Sequence, residues 1–308
     1  MKNFIYLLIL FCIVIFNSCS KDNEELVPEE KEWEVTRLKM LEDTNDPNIL
    51  PITYDPVEWK RNANGEIQQF SGFYMDWDVS HSEHLIQLTG ISKNMSGLTV
   101  YDTLRLSLEN GRIARTMKSA RYVYQEDRND SYEVRSRNFY YDEQGYLSRV
   151  TDPNRANGEQ DLYRATVENG NVVKVETITY SDNIAYLEPF QITTHSYAYD
   201  NNDYIQMNDW APYTPLYLVD ESARVMLYDG LLGKKNKNNI RSVDLQYKML
   251  DVTPHFNKLT YELKFDEQNK PIAIKHTGRF TGHAVEGGKQ FDFTDNIETV
   301  FTYTVKEN

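Results

Sequence analysis

The chain has 308 residues, 40% of them hydrophobic and 26% charged, and this composition excludes disorder over its whole length. Its formal net charge of −14 at pH 7 repels phosphate backbones and anionic lipid surfaces, so no nucleic-acid partner is predicted. The two cysteines, Cys12 and Cys19, lie close to the N-terminus, which excludes a disulfide framework or a thiolate metal site in the rest of the chain.

The first predicted element is a lipoprotein signal peptide, residues 1–18. Lys2 supplies a positive charge, and Phe4 to Phe16 form an apolar run of thirteen residues. This run is shorter than the about 20 residues that a membrane span requires. Cys19 stands where the polar sequence begins, a position that resembles the acylated cysteine of lipoproteins. We therefore expect lipidation at Cys19, including a palmitate chain; an ordinary cleaved signal peptide and an uncleaved anchor are the alternatives.

A flexible acidic tether is predicted at residues 19–32. Ser20 to Lys31 are mostly polar or acidic and include one proline, a composition typical of solvated linkers. Within this segment, Lys21 followed by acidic residues resembles the surface-export signal of Bacteroidetes lipoproteins. These features predict a protein that is anchored by lipid in the outer membrane, on the cell surface or on the periplasmic face.

The remainder, residues 33–308, is predicted to be one mainly β domain. Six times, a strand-like run with alternating apolar and polar residues meets a turn of Asn, Asp or Gly and is followed by a second run. Asn-Gly pairs favour hairpins because both residues adopt positive φ at low cost. The pattern predicts a single strongly curved antiparallel sheet, or a partly closed barrel, built from hairpins. The six units are residues 59–67, 106–113, 139–147, 165–173, 197–205 and 263–272.

One short helical insertion is expected at residues 216–232. Asp220 is a suitable N-cap, and an apolar run from Val225 to Leu227 follows it. Gly233 then ends the segment, and the lysine-rich run 234–239 is interpreted as a solvated loop.

The hairpin sequences also resemble a known family. The Tyr-x-Tyr-Asp and Glu-Asn-Gly hairpins, together with residues 230–235, are similar to a Bacteroidetes lipoprotein family, a domain of unknown function described as having a porin-like fold. The resemblance covers roughly residues 50–305. It implies a curved antiparallel sheet that closes wholly or partly. Because no activity is known for the family, the resemblance implies no functional residues.

A porin-like fold does not imply strands that span a membrane in this chain. An outer-membrane strand needs about ten residues with one wholly apolar face. In the segment 132–141, Glu133 and Arg135 fall on one face, and Ser136 and Asn138 fall on the other. We therefore expect a water-soluble β domain that is attached to the membrane through its N-terminal lipid alone.

The densest group of metal-binding side chains is Asp76, Asp78, His81 and His84. A zinc site normally uses three or four ligands. Residues three apart in a strand point to opposite faces, so a metal shared by the two histidines requires a turn or a helix here. The alternative is a polar loop, and neither a metal nor another cofactor is predicted.

No sequence pattern indicates an enzyme. The chain lacks the G-x-S-x-G elbow of serine hydrolases, the P-loop and the dinucleotide fingerprint. Its 47 acidic residues offer too many carboxylate pairs to identify a glycosidase. No catalytic residue is predicted, and a hydrolase is the least favoured hypothesis.

An irregular aromatic segment that contains two prolines, residues 210–215, is the best candidate for a binding loop. Trp210, Tyr213 and Tyr217 are its candidate binding residues, and a structural plug over the sheet is the alternative. The leading hypothesis is a non-catalytic cell-envelope lipoprotein that binds a glycan, a lipid or a partner protein. The second hypothesis is a structural or accessory envelope component without a small ligand.

Overall fold

The computed structural model consists of β-strands, turns and irregular segments in the part of the chain that it describes. The described residues are 33–44, 52–53, 57–72, 75–93, 98–124, 131–155, 158–180, 188–204, 213–216, 218–219, 230–249, 255–268, 270–283 and 290–305. The first nine strands are β1 (Trp33–Thr44), β2 (Ile52–Thr53), β3 (Val57–Arg61), β4 (Ile67–Gly72), β5 (Met75–Ser82), β6 (Leu85–Lys93), β7 (Leu98–Glu109), β8 (Arg112–Tyr124) and β9 (Ser131–Tyr141). The others are β10 (Leu147–Asp152), β11 (Gln160–Glu168), β12 (Asn171–Tyr180), β13 (Pro189–Asp203), β14 (Asn238–Met249), β15 (His255–Phe265), β16 (Pro271–His283) and β17 (Gln290–Val305).

The strands pair in chain order. From β3 to β16, each strand is antiparallel to the next, which makes a single fourteen-stranded sheet. For β1, β2 and β17 only the backbone is described; β17 pairs with β16, and β1 pairs with β2, β3 and β17. The predicted mainly β fold, with one antiparallel sheet, is confirmed.

The predicted turn chemistry explains why consecutive segments pair. At the β7–β8 turn, Asn110 and Gly111 have φ of 52° and 71°, and at the β11–β12 turn, Asn169 and Gly170 have φ of 52° and 84°. Two successive positive φ values are those of a type I′ turn, whose twist matches that of the strands it joins. Antiparallel neighbours therefore follow from the local sequence.

One face of the sheet is buried and the other is exposed. In β7, Leu104 and Leu106 are buried, whereas Arg105 and Ser107, which alternate with them, are exposed. Each large apolar side chain that is fully buried contributes roughly 1.5–3 kcal/mol to the free energy of unfolding. The largest of these are Ile67, Leu88, Leu104, Leu106, Ile113, Leu232, Leu245, Leu259 and Ile274.

The helical insertion expected at residues 216–232 does not appear in the part of this range that the structure describes. Residues 216, 218–219 and 230–232 form turns and bends, and the remaining residues, including Asp220 and Val225 to Leu227, lie outside the described part. The Leu218 amide donates a hydrogen bond to the Thr214 carbonyl, at 3.2 Å. Among the described residues, no helix is both long and apolar enough to cross a membrane.

The lysine-rich run after Gly233 is not a free loop. The segment 230–237, here called the strap, crosses the hairpin ends of the sheet. The amides of Lys234 and Lys237 donate hydrogen bonds to the carbonyls of Gly145 and Gly170, at 2.8 Å and 2.9 Å. The lysine side chains at 234 and 237 are exposed, as predicted, but the backbone between them is bound to the sheet.

Two buried side chains fix the strap. Leu232 has no exposed surface, and Asn236 is buried with its Oδ1 accepting a hydrogen bond from the Val172 amide, at 2.8 Å. Val35–Thr302, which contains the strap, forms one compact unit by its backbone contacts.

Candidate functional site

The four candidate metal ligands are not brought together. Asp76 and Asp78 lie on the exposed face of β5, whereas His81 lies on the opposite face, with its Nε2 2.7 Å from the Ile67 carbonyl oxygen. His84 follows in the exposed turn. In the described part of the chain, no three His, Cys, Asp or Glu side chains are grouped so that they could hold a metal ion.

The candidate binding loop is described only in part. Trp210 and Tyr217, like the lipidation site Cys19, lie outside the described residues. The carbonyl oxygen of Tyr213, which has φ of 65°, accepts a hydrogen bond from the Tyr197 hydroxyl at 2.8 Å. Thr214, which follows it, is fully buried. The described part of this segment therefore packs into the protein.

Charged and polar side chains continue the buried face beyond its apolar part. Asp102 lies two residues before Leu104 in β7 and is only 6% exposed. Residues on the same face of the next two strands complete a set that we call the Asp102 cluster. Its members are Asp102, Lys118, Tyr122, Glu133 and Arg135.

Most polar groups of the cluster pair with one another. Lys118 Nζ lies 3.3 Å from Asp102 Oδ2, and Arg135 forms an ion pair with Glu133. The Tyr122 hydroxyl donates a hydrogen bond to Glu133 Oε2 at 3.1 Å. Asp102 Oδ1 is the exception, because it is buried and has no hydrogen-bond partner among the described residues. A buried carboxylate oxygen without a donor is costly, so a bound hydrogen-bond donor would stabilise this atom.

Small residues flank the unpartnered oxygen. The register places Gly90, Asp102, Ala120 and Glu133 side by side on four neighbouring strands. With strands about 4.8 Å apart, the backbones of Asp102 and Glu133 are about 10 Å apart, and only the methyl group of Ala120 projects between them. On the other side, beyond Gly90, the row continues with the half-buried ring of Trp77.

The electrostatics of the cluster favour an ionised Glu133. Burial raises the pKa of Glu133, but hydrogen bonds from Arg135 and Tyr122 outweigh it and leave the pKa below its usual range. Burial and the bond to Glu133 raise the pKa of Tyr122, which therefore stays a donor. Two carboxylates and two cations give the cluster no formal net charge.

Two buried histidines lie elsewhere on this face. His195 Nε2 is 3.4 Å from Thr177 Oγ1, and the His276 ring centroid is 6.0 Å from that of Tyr261. Burial lowers the pKa of each histidine to about 4, so both are neutral at pH 7. Neither has a carboxylate partner among the described residues, which does not favour general-base chemistry.

A second charged cluster lies on the exposed face and leaves Glu159 well supplied with donors. The Glu159 carboxylate accepts hydrogen bonds from Thr151, Tyr140 and Asn138, and these bonds lower its pKa to about 2. Beside it, Asp161 forms ion pairs with Arg149 and Arg164. Hydrogen bonds and ion pairs within the protein therefore engage both carboxylates. In contrast to the Asp102 cluster, these contacts point to a structural role and not to a ligand.

The Asp102 cluster was not identified from the sequence, although a signal was present. Asp102 continues the period of two set by Leu106 and Leu104, so the pattern places a carboxylate on an apolar face. Its neighbours Lys118 and Glu133 come from other strands and depend on the register. No local pattern reveals those contacts.

No protein-family model matches this sequence, and no curated protein has a significantly similar sequence. The chain is similar to the crystal structure of a porin-like protein from Bacteroides uniformis ATCC 8492, with 13% identity, a TM-score of 0.45, and coverage of 88% of this chain and 96% of that chain. It is also similar to a porin-like protein from Bacteroides vulgatus ATCC 8482, with 11% identity, a TM-score of 0.49, and coverage of 88% of this chain and 98% of that chain. Identities and TM-scores this low assign neither a ligand nor a family to the chain, so membership in the lipoprotein family stays a prediction.

Proposed function

We propose that this chain is a non-catalytic, lipid-anchored protein of the cell envelope that binds a neutral glycan at the Asp102 cluster. The observation that carries the proposal is the buried Asp102 Oδ1, which has no hydrogen-bond donor among the described residues. A sugar hydroxyl is such a donor, and its own oxygen accepts a hydrogen bond from a neighbouring cation.

Charge and shape support a neutral, hydroxyl-rich ligand. The two carboxylates of the cluster are balanced by Lys118 and Arg135, so a strongly charged ligand gains no net attraction there. The residues on either side of Asp102 in the row, Gly90 and Ala120, have no side chain or only a methyl group. The ring of Trp77 offers the apolar surface on which a sugar ring packs.

The properties of Glu133 favour binding over hydrolysis. A glycosidase uses one carboxylic acid that remains protonated because its pKa is raised. The pKa of Glu133 is instead lowered, and both of its oxygens are already engaged by Arg135 and Tyr122.

The envelope location rests on the N-terminal sequence. The apolar run Phe4 to Phe16 followed by Cys19 supports lipid anchoring, with surface or periplasmic display.

The test is binding of soluble neutral oligosaccharides to the full chain, purified in detergent. Maltohexaose, cellohexaose, xylohexaose and mannohexaose are titrated calorimetrically against the wild type and Asp102→Asn. We expect at least one sugar to bind and the substitution to weaken its affinity roughly tenfold or more, because a hydrogen bond to a charged group contributes about 1.5–3 kcal/mol.

Asp244→Asn is the matched control. Asp244 forms a 3.7 Å ion pair with Lys258, but both side chains are exposed, so its loss should leave sugar affinity unchanged. Binding of none of the four sugars, or equal affinity of wild type and Asp102→Asn, would contradict the proposal. Thermal unfolding of each variant reports whether the fold is retained.

A further inference from the structure

Two hairpin turns of the sheet have the same local sequence. Residues 109–111, Glu-Asn-Gly, join β7 to β8, and residues 168–170, with the same three amino acids, join β11 to β12. In both turns the asparagine and the glycine have positive φ, so the turn type is also the same. Asparagine before glycine is prone to lose its side-chain amide, because glycine has no side chain to shield its reacting nitrogen. A difference in reactivity between the two turns would therefore reflect their surroundings.

The β7–β8 turn is open to solvent. Asn110 and Gly111 are both exposed. Apart from chain neighbours, no atom of the described residues lies within 4 Å of the position that a Cβ on Gly111 would occupy. Within the described part of the chain, neither the Asn110 side chain nor the Gly111 amide has a hydrogen-bond partner. The peptide group between the two residues can therefore rotate without breaking a contact to another segment.

The strap holds the β11–β12 turn. The carbonyl oxygen of Gly170 accepts hydrogen bonds from the Lys237 amide at 2.9 Å and from the Tyr146 hydroxyl at 3.1 Å. The Lys237 Cβ also lies 3.4 Å from the position that a Cβ on Gly170 would occupy. Asn171 Oδ1, next in the chain, accepts a further hydrogen bond from the Lys237 amide at 2.9 Å. A rotation of the peptide group before Gly170 therefore strains or breaks these contacts.

A third Asn-Gly pair, Asn64 and Gly65, is protected in a different way. The Gly65 amide donates a hydrogen bond to the Asn62 carbonyl oxygen at 3.0 Å. This amide has to lose its proton before its nitrogen can react. A hydrogen bond that the neutral N–H donates disfavours that loss, so Asn64 should react slowly although its side chain is exposed.

We propose that Asn110 is a site of spontaneous deamidation selected by the fold, whereas Asn64 and Asn169 are protected. The Gly111 amide nitrogen loses its proton and attacks the Asn110 side-chain carbonyl carbon. A new C–N bond forms, and Asn110 Nδ2 takes up a proton and leaves as ammonia. Water then opens the resulting succinimide ring at either carbonyl, which gives aspartate or isoaspartate. Isoaspartate adds one carbon atom to the backbone, which a two-residue type I′ turn does not accommodate, so the modification weakens the β7–β8 hairpin.

The test compares asparagines within one molecule. The full chain, purified in detergent, is incubated at pH 8.5 with and without denaturing urea, and peptide mapping with electron-transfer fragmentation measures aspartate and isoaspartate at each position. In the folded protein we expect Asn110 to react at least about tenfold faster than Asn169, because two neutral hydrogen bonds to Gly170 hold the second turn. In urea the shared Glu-Asn-Gly sequence should make the two rates agree within about twofold.

Tyr146→Phe removes one of the two hydrogen bonds to Gly170 and keeps the buried ring. We expect Asn169 to react several-fold faster in this variant than in the wild type, and Asn110 to react as before. Tyr197→Phe is the matched control, because it also removes a buried hydroxyl, which donates to the Tyr213 carbonyl and not to a turn glycine. It should change neither rate.

Four results would overturn the proposal. They are equal rates at Asn110 and Asn169 in the folded protein, a difference of the same size in urea, no product at Asn110 while the urea sample reacts, and an equal rise at Asn169 in Tyr146→Phe and Tyr197→Phe. Thermal unfolding of each variant reports whether the fold is retained, and the comparison within the wild type needs no variant.

Discussion

His195 and His276 lie on the buried face of the sheet, where they are 2% and 1% exposed. Nδ1 of His195 and both ring nitrogens of His276 have no hydrogen-bond partner among the described residues. A positive charge on either ring would be buried without compensation, which is why burial lowers both pKa values to about 4. At the residue scale, these side chains make the stability of the protein depend on pH.

The first prediction follows from the sign of these shifts. In the unfolded chain a histidine has a pKa of about 6.5, so between pH 6.5 and about 4 the unfolded state binds more protons than the folded state. The histidine contribution to stability is complete above pH 6.5 and is lost as pH falls toward about 4, by on the order of 3 kcal/mol per histidine. Urea unfolding of the wild type at pH 7.5, 6, 5 and 4.5 measures the loss.

The comparison is with the double variant His195→Asn/His276→Phe, which keeps an aromatic ring beside Tyr261. Its free energy of unfolding should fall less steeply over the same interval. Carboxylates such as Glu159 also titrate at acidic pH, so the difference between the two proteins is the diagnostic quantity. Identical pH profiles for the two proteins would refute the assignment.

At the scale of elements, the strap joins hairpins that are far apart in the sequence. The amide of Ile113 donates a hydrogen bond to the Leu231 carbonyl at 3.0 Å, and Gly233 forms an isolated antiparallel β-bridge with Tyr146. Asn236 accepts a hydrogen bond from the Val172 amide. Contacts between distant hairpins make unfolding more cooperative, because one segment cannot leave without exposing the backbone donors of the others.

The second prediction concerns Asn236→Ala, which leaves the buried Val172 amide without its acceptor. We expect a loss of about 1–3 kcal/mol in the free energy of unfolding. Asn201→Ala is the control, because Asn201 is exposed in β13 and should change stability by less than about 0.5 kcal/mol. Urea unfolding at pH 7.5 measures both variants; an equal effect of the two would mean that the strap contributes little.

At the scale of the whole molecule, the proposed lipid anchor would decide where the β domain acts. Cys19 follows the apolar run, whereas Cys12 lies inside it. The third prediction is that Cys19→Ala abolishes metabolic labelling with palmitate and moves the protein to the soluble fraction, because acyl chains supply the membrane affinity. Cys12→Ala should remain labelled and membrane-bound. Membrane retention of Cys19→Ala would show that another segment anchors the chain.

Much of the fold could be predicted from particular turns. The Asn110-Gly111 and Asn169-Gly170 pairs adopt the predicted positive φ values, and the strands beside them pair as hairpins. The helix expected around Asp220 rested on a single N-cap candidate and a short apolar run, and the described part of 216–232 forms turns instead. A short apolar run does not distinguish a helix from a strand, because either element can bury such a run.

The candidate site was less predictable. The pattern Asp102, Leu104, Leu106 places a carboxylate on the apolar face, but the sequence alone does not identify the cation that pairs with it. The metal candidates Asp76 and His81 looked close in the sequence, yet alternation along β5 places them on opposite faces. Residues far apart in the sequence can therefore meet in space, and residues close in the sequence can point to opposite faces.

By itself, the sequence determined the antiparallel pairing of neighbouring segments and which residues share a face, because turn conformation and the period of two are local properties of the backbone. Only the tertiary structure decided that Asp102 lies in a row with Glu133, that the strap binds the turns at Gly145 and Gly170, and that Arg121 stacks between two tyrosines. The physical reason is that these contacts depend on strand register and on burial. A register shift of one residue would move Asp102 or Glu133 to the other face, and outside the tight hairpin turns the local sequence does not specify the register.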